Sequence, residues 1–313
     1  MSETLSFNLS KVQDLRYGEN PHQKAGLYKM DNSVDFELLN GKELSFNNIA
    51  DMAAAFDIVC EFVGVPACAI IKHSNPCGVA LGESTTDSYS RALECDPISA
   101  FGGIVAFNQN VDLAAAKLLK EIFLEVIIAP DFEKEAAELL SQKKNLRLVK
   151  VNEDVLAYKR TPLVDIKNTK FGTLIQTKED TELNKDNFKI VTKAKPDEKM
   201  VEDMLFAWKV VKHVKSNAIV VAKDRRTLGI GMGQTSRVAS MEIAVKQACD
   251  EAKDAVVASD GFFPAVDNIQ VAGQNRIAAI IQPGGSIKDE DVIKECDKYN
   301  IAMVMTGMRH FLH

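Results

Sequence analysis

The chain has no cysteine pair in a C-x-x-C arrangement, no apolar run of membrane-spanning length and no excess of basic side chains. Each absence removes a class of protein. Its six cysteines, Cys60, Cys68, Cys77, Cys95, Cys249 and Cys296, are scattered along 313 residues, which fits reduced thiols better than a disulfide frame or a zinc site. Lys and Arg number 38 against 44 Asp and Glu, a net charge of -6, so no general nucleic-acid or membrane surface is expected. Any anionic ligand must then be held by a local cluster of cations. Met1-Ser2-Glu3-Thr4 lacks the basic start and apolar core of a secretory signal, and it reads as a natural start. A soluble cytoplasmic protein is the expectation.

What is present is an alternation of short apolar runs with amphipathic stretches, the pattern of α/β layers. Asn48–Val63 has helical spacing, and Ala67–Ile71 reads as a buried strand closed by a turn at Asn75-Pro76-Cys77-Gly78. Ser84–Cys95 reads as a helix capped by Ser84 with Asp87 at its third position. Strands are expected at Ile104–Phe107, Val126–Ala129 and Leu146–Val151, with a charged helix over Asp131–Lys144. Residues 152 to about 190 turn polar and read as an irregular connector with some β content. Helices are expected at Asp197–Val211, at Ser236–Ala252 and after a cap at Ser286. Strands are expected at Ala218–Ala222, Ala255–Ala258, Arg276–Ile281 and Ile301–Met305. The length favours two domains. A faint echo between Lys72-His73-Ser74-Asn75 and Lys215-Ser216-Asn217 suggests two similar halves, 1–152 and 191–313, joined by 153–190.

Lys72-His73 at a strand's carboxyl end lies where open α/β folds bind ligands. An ammonium beside an imidazole suits acid plus base; a hydrogen-bonded structural histidine is the other reading. Arg16-Tyr17-Gly18-Glu19-Asn20-Pro21-His22 is dense in polar side chains, and Arg with Tyr suits a phosphate, with His22 read as structural. Gly229–Arg237 matches neither the dinucleotide fingerprint nor the Walker A loop; it reads either as a tight turn or as backbone approaching a ligand. Ser259-Asp260-Gly261-Phe262-Phe263-Pro264 puts two aromatics in a turn, as core or as the wall for a flat ring. Arg309 and two histidines follow the last strand, in a tail close enough to dock. The zinc-deaminase signature, H-x-E with P-C-x-x-C, is absent, since His73 precedes Ser74-Asn75 and Pro76-Cys77 precedes Gly78-Val79-Ala80. Cys77 reads as a small buried thiol rather than a nucleophile.

Nine segments occur in order: Leu15–Gln23, Lys72–Ala80, Ser99–Gly103, Glu125–Pro130, Val214–Ala218, Gly231–Arg237, Ser259–Pro264, Gln282–Ile287 and Met308–Phe311. Together they resemble the folate-dependent transformylases acting on aminoimidazole carboxamide ribonucleotide (AICAR), the C-terminal part of a bifunctional purine-biosynthesis protein. The resemblance implies two cytidine-deaminase-like three-layer α/β/α units without zinc, and a homodimer with active sites between subunits. It implies transfer of a formyl group from 10-formyltetrahydrofolate to the 5-amino group of AICAR, and it allows a structural monovalent cation.

Carried over by position, the resemblance makes Lys72, His73 and Asn217 catalytic. His73 would take the proton of the amine, and Lys72 would protonate the leaving nitrogen or stabilise the formyl oxygen. Arg16, Tyr17 and Arg309 would clamp the 5′-phosphate. Arg237, Gly102 and Phe262 would hold the base and carboxamide, with Glu125 at the ribose. Phe263 and Pro264 would line the folate pocket, Asp267 and Asn268 lying near substrate and pterin. Ala265-Val266 stands where the family usually has Phe and Arg, and Glu125 where some members have Asp. The motif begins about fifteen residues from Met1, so the family's N-terminal cyclohydrolase domain is expected either as a separate IMP cyclohydrolase downstream or outside the given sequence. Two other functions compete: a non-catalytic AICAR-binding sensor, and formylation from formate and ATP.

Overall fold

The computed structural model of the chain describes residues 4–30, 33–152, 154–160, 164–179 and 181–313. An antiparallel ribbon, β1 (Ser10–Leu15) and β2 (Ala25–Lys29), comes first, followed by strand β3 (Phe36–Asn40). One order of elements then occurs twice. The first half runs α1 (Phe46–Val59), β4 (Ala67–Lys72), β5 (Asn75–Leu81), α2 (Thr85–Leu93), β6 (Ile104–Phe107), α3 (Leu113–Leu119), β7 (Val126–Ala129), α4 (Lys134–Ser141) and β8 (Arg147–Val151). A connector holds α5 (Val155–Arg160), the hairpin β9 (Val164–Thr169) and β10 (Gly172–Thr177), and the short β11 (Lys189–Ile190). The second half repeats the order with α6 (Glu198–Val211), β12 (Ile219–Lys223), β13 (Arg226–Gly231), α7 (Arg237–Ala248), β14 (Val256–Ser259), α8 (Asp267–Gln274), β15 (Ala279–Gln282), α9 (Asp289–Tyr299) and β16 (Ala302–Met305).

Both halves contribute to one twelve-stranded mixed sheet, ordered β11-β16-β15-β14-β12-β13-β5-β4-β6-β7-β8-β3. Counted outward from the β13–β5 seam, the two halves have the same strand order, so the α/β class expected from the sequence holds. Alternate residues of each strand enter different cores, as the two-residue period of a pleat requires. Ala69 and Ile71 of β4 face a core shared with Phe56 of α1 and Met204 of α6, whereas Cys68 and Ile70 pack with Leu119 and Leu140 from α3 and α4. In the second half Ile219 and Val221 face Met241 of α7 and Ile269 of α8. Strands covered on both faces read as continuous apolar runs, which is why β4, β6 and β7 were legible.

Helix starts follow their capping residues. Ser45 accepts from Asn48 N at 3.1 Å while Asn48 Oδ1 accepts from Ser45 N, also at 3.1 Å, closing a reciprocal box on α1. Ser84 caps α2 as expected, but the Asp87 carboxylate accepts from Glu83 N rather than from the cap residue.

Several expectations are corrected. The β4–β5 turn falls on His73-Ser74, and Asn75-Pro76-Cys77-Gly78 belong to β5. Pro76 is accommodated because the pairing register shifts beside it, between Ile70 and Ile71. The glycines of Gly229–Gly231 lie within β13, not in a turn. The connector is more regular than expected, α4 is shorter, and α7 stops at Ala248 before a 3₁₀ turn. Ser286 does not cap α9; its hydroxyl accepts from Lys288 N at 3.1 Å, ahead of a helix that begins at Asp289. The helix α8 and the first three strands had no clear sequence signal.

Candidate active site

Strand direction gathers the motifs. The pairing registers place the carboxyl ends of β4, β13, β14, β15 and β16 on one rim of the sheet, beside the amino ends of β5, β6, β7, β8 and β12. That rim therefore carries Lys72-His73, Gly102, Glu125, Lys215-Ser216-Asn217, Gly233–Arg237, Asp260–Pro264 and the tail after Met305.

His73 and Ser74 form the β4–β5 turn with φ of 54° and 58°, a left-handed conformation at both positions. The carboxylate of Asp51, on α1, accepts from His73 N at 3.3 Å, from Ser74 N at 2.7 Å and from Ser74 Oγ at 3.0 Å. Asn75 donates to His73 O at 3.1 Å and accepts from Lys215 N at 3.2 Å, tying the turn to the second half. The His73 side chain is exposed, and Lys72 Nζ donates to Phe101 O at 2.8 Å. Two candidate catalytic groups, Lys72 and His73, are thus adjacent on the rim, with Asn217 two residues beyond the contact of Asn75 with Lys215.

Asn217 is itself fixed. Its Nδ2 donates to Gln234 O at 2.8 Å, and its own carbonyl accepts from Ser240 Oγ at 2.8 Å. Arg237 opens α7, and its guanidinium pairs with the fully buried Asp260 while Nε donates to Phe262 O at 3.2 Å. Burial pulls that guanidinium below its ordinary range, and Asp260 opposes the shift. Asp260 also accepts from Ser216 Oγ at 2.5 Å, and its carbonyl accepts from His310 N at 3.0 Å. Ser216 and Leu312 exchange two more bonds, from Ser216 N to Leu312 O at 2.9 Å and from Leu312 N to Ser216 Oγ at 3.1 Å. The tail therefore docks, and Arg309 stands exposed on the rim with its guanidinium 4.4 Å from the Phe311 ring centre.

Gly102 (φ 72°) donates its N–H to Phe123 O at 2.8 Å, and Glu125 is ion-paired to Arg147. Arg16 lies 5.6 Å from the Tyr17 ring centre in a loop held to α1 by Asn47, which donates to Glu19 O at 3.3 Å. Asn47 and Asp51 are four residues apart, so one face of α1 supports both this loop and the His73 turn. Among the described residues no hydrogen bond or ring contact joins Arg16 or Tyr17 to Arg309. Of the paired aromatics, Phe263 is fully buried in the second-half core and Phe262 is 39% exposed. Pro264 is exposed. Asp267 Oδ1 accepts from Asn268 Nδ2 at 2.9 Å, and the buried Asn268 Oδ1 has no hydrogen-bond partner. Cys77 is buried, and burial pushes its thiol up to about 12, so it is no thiolate nucleophile at neutral pH.

A cavity of about 950 Å³ opens on the other face of α1, past Met52, Ala53, Phe56 and Asp57, away from the rim. Among the described residues no group of three or more His, Cys, Asp or Glu is placed to hold a metal ion, and no helix is long and apolar enough to cross a membrane. Asp51, Gln234 and Asp260 were not singled out from sequence. Asp51 is a single acid on an amphipathic helix, and such positions read as solvated surface.

Fold and rim together define a two-part α/β protein whose polar groups converge where its halves meet. The chain matches the family described as AICARFT/IMPCHase bienzyme over residues 1–247, and it belongs to that family. It is 50% identical over 317 residues to the bifunctional purine biosynthesis protein PurH of Caldicellulosiruptor saccharolyticus, 52% over 316 residues to that of Bacillus thuringiensis and 50% over 315 residues to that of a Thermoanaerobacter species. Each match covers 99% of this chain and 61% of the relative, so the chain spans about three fifths of the length of these proteins.

Proposed function

We propose that this chain is a formyltransferase that moves the formyl group of 10-formyltetrahydrofolate onto the 5-amino group of AICAR, a step of purine biosynthesis. The observation that carries the proposal is the Lys72-His73 turn, exposed on the rim and tied through Asn75 to the segment holding Asn217. The acceptor is an aromatic amine whose lone pair is drawn into its ring, so attack needs a base at the amine and charge stabilisation at the formyl oxygen. His73 accepts the amine proton, directly or through the neighbouring carboxamide. Lys72 donates a proton to the departing nitrogen or stabilises the oxygen. Asn217 orients the reacting groups.

Arg309, Arg16 and Tyr17 bind the phosphate, and Arg237 acts through the backbone of Phe262 on the base, with Glu125 near the ribose. Folate supplies the formyl group. The exposed Phe262 ring and the partnerless acceptor of Asn268 support a planar ligand bearing amino donors at this turn. The repeated element order supports two units, 1–152 and 191–313, of the cytidine-deaminase-like kind that the family implies. The large apolar side chains Ile98, Phe101 and Ile287, 87%, 60% and 99% exposed near the same rim, support a homodimer.

The test is formation of formyl-AICAR by the purified protein from AICAR and 10-formyltetrahydrofolate. His73→Ala is expected to lower turnover by roughly 10²–10⁴ with substrate binding kept. Near-normal turnover of that variant would remove His73 from the chemistry. Product with formate and ATP alone would overturn the folate assignment, and binding of AICAR without product in either mixture would leave a sensor.

A further inference from the structure

We propose that Asp51 is a positioning residue for His73, acting through the turn backbone and resting on the transformylase activity proposed above. A two-residue hairpin turn with positive φ at both positions is usually made from Asn-Gly, because a side chain in the left-handed region is unfavourable. Here the turn is His73-Ser74, with φ of 54° and 58°. The flanking pair is Lys72 with Asn75, so neither turn N–H enters the β4–β5 ladder. Asp51 accepts both N–H groups and the Ser74 hydroxyl, at 3.3, 2.7 and 3.0 Å. Asn75 takes the opposite side, donating to His73 O at 3.1 Å. The His73 backbone is thus held at its nitrogen from α1 and at its oxygen from β5. Its exposed imidazole is directed by that backbone.

The second half contains the same device without a histidine. Asp203 of α6 accepts from Asp224 N at 3.0 Å and Arg225 N at 2.6 Å, in the β12–β13 turn with φ of 55° and 56°. Asp51 and Asp203 occupy the same place, the sixth residue of a fourteen-residue helix. The Asp224-Arg225 turn lies on the opposite edge of the sheet, because β12 begins at the rim. The clamp is therefore a feature of the fold in both halves, and in the first half it carries the catalytic imidazole. Asp203 is accordingly an internal control: it supplies the same stabilisation with no bearing on His73.

The experiment compares Asp51→Ala, Asp51→Asn and Asp203→Asn with the unaltered chain in the formyl-transfer assay, alongside thermal melts. Loss of alignment at His73 is expected to lower kcat about a hundredfold in Asp51→Ala, with KM for both substrates changed less than about twofold. Asp203→Asn is expected to lower the melting temperature and keep kcat. If Asp51→Ala does not fold, Asp51→Asn, which keeps one acceptor oxygen, carries the comparison and is expected to lose kcat in the same sense. Unchanged kcat in folded Asp51 variants, or an equal loss of kcat in Asp203→Asn, overturns the positioning role. Absence of product from the unaltered chain instead overturns the transformylase activity itself, so the two failures are distinct.

Discussion

A Cβ added at Gly229 would lie 2.0 Å from the carbonyl oxygen of Ala244, and one at Gly78 would lie 2.0 Å from that of Ala92. Both glycines sit in strands, β13 and β5, and both carbonyls belong to the helix that follows, α7 and α2. The glycines let helix backbone rest directly on strand backbone, the same close approach in each half. Gly229 and Gly231 had the look of a ligand-binding loop, yet their sequence signal comes from packing. Gly233, with φ of 65°, is the residue of that run in a left-handed turn. Gly229→Ala is expected to cost about 1–3 kcal/mol, the usual range for an overpacked core, seen as a lower urea midpoint. An unchanged midpoint would mean that α7 moves away freely.

At the scale of elements, the seam between the halves depends on few backbone contacts. Strands β5 and β13 share the single backbone pair Arg226 with Ala80, helped by Leu81 N donating to Arg225 O at 3.0 Å. A threonine side chain reinforces the join. The buried Thr227 hydroxyl accepts from Val79 N at 2.9 Å and donates to Val79 O at 3.2 Å, so it stands in for a ladder rung. Thr227→Val keeps the shape and strands both polar groups of Val79, for an expected loss of about 1–3 kcal/mol. Thr227→Ser should retain most of the stability, and equilibrium denaturation of the pair separates the hydroxyl from the methyl. Because the rim takes residues from both sides of this seam, alignment of β5 with β13 sets the spacing of His73 from Asn217.

Across the whole molecule, one buried carboxylate joins the halves and the connector. Glu61, just past α1, contacts Lys212 and His213 just past α6, and Lys159 of α5 at 3.2 Å. Burial by itself would raise the Glu61 pKa, but the hydrogen bond and charge of His213, together with Lys212, hold it far below the ordinary 4.5. A carboxylate depressed in the folded state contributes stability that is complete above its unfolded pKa and lost as the pH falls below it. His310, tilted against Trp208 with ring centres 4.7 Å apart, has its pKa lowered from 6.5 by burial, against the pull of Glu179. Its sign is the same: the folded state resists protonation, so stability falls as the pH drops below 6.5. Stability is therefore expected to decline on acidification from pH 6.5, with the Glu61 contribution lost below 4.5. Glu61→Gln is expected to remove about 3–5 kcal/mol at neutral pH, as breaking one side of a buried ion pair does, and to flatten the acid limb below 4.5. Denaturation midpoints measured across pH check both statements.

The α/β class, most strand positions and the cap at Ser84 were already present in the sequence, because short-range preferences and burial on both faces leave a local pattern. Lys72-His73 stood out as polar groups that no core requires, and Asn217 through its resemblance to the family's active-site residue. Where a residue answered to a distant partner, local pattern misled. Pro76 and Gly78 look like a turn, yet one sits beside a register shift and the other under α2. Phe262 and Phe263 are indistinguishable as neighbours, and only the packing of α8 decides which ring is core. Tertiary structure alone decided that segments far apart in the chain share one rim, since that depends on strand order and direction. It also decided that Asp51 holds His73, because a hydrogen bond between a helix and a turn 22 residues away has no local signature.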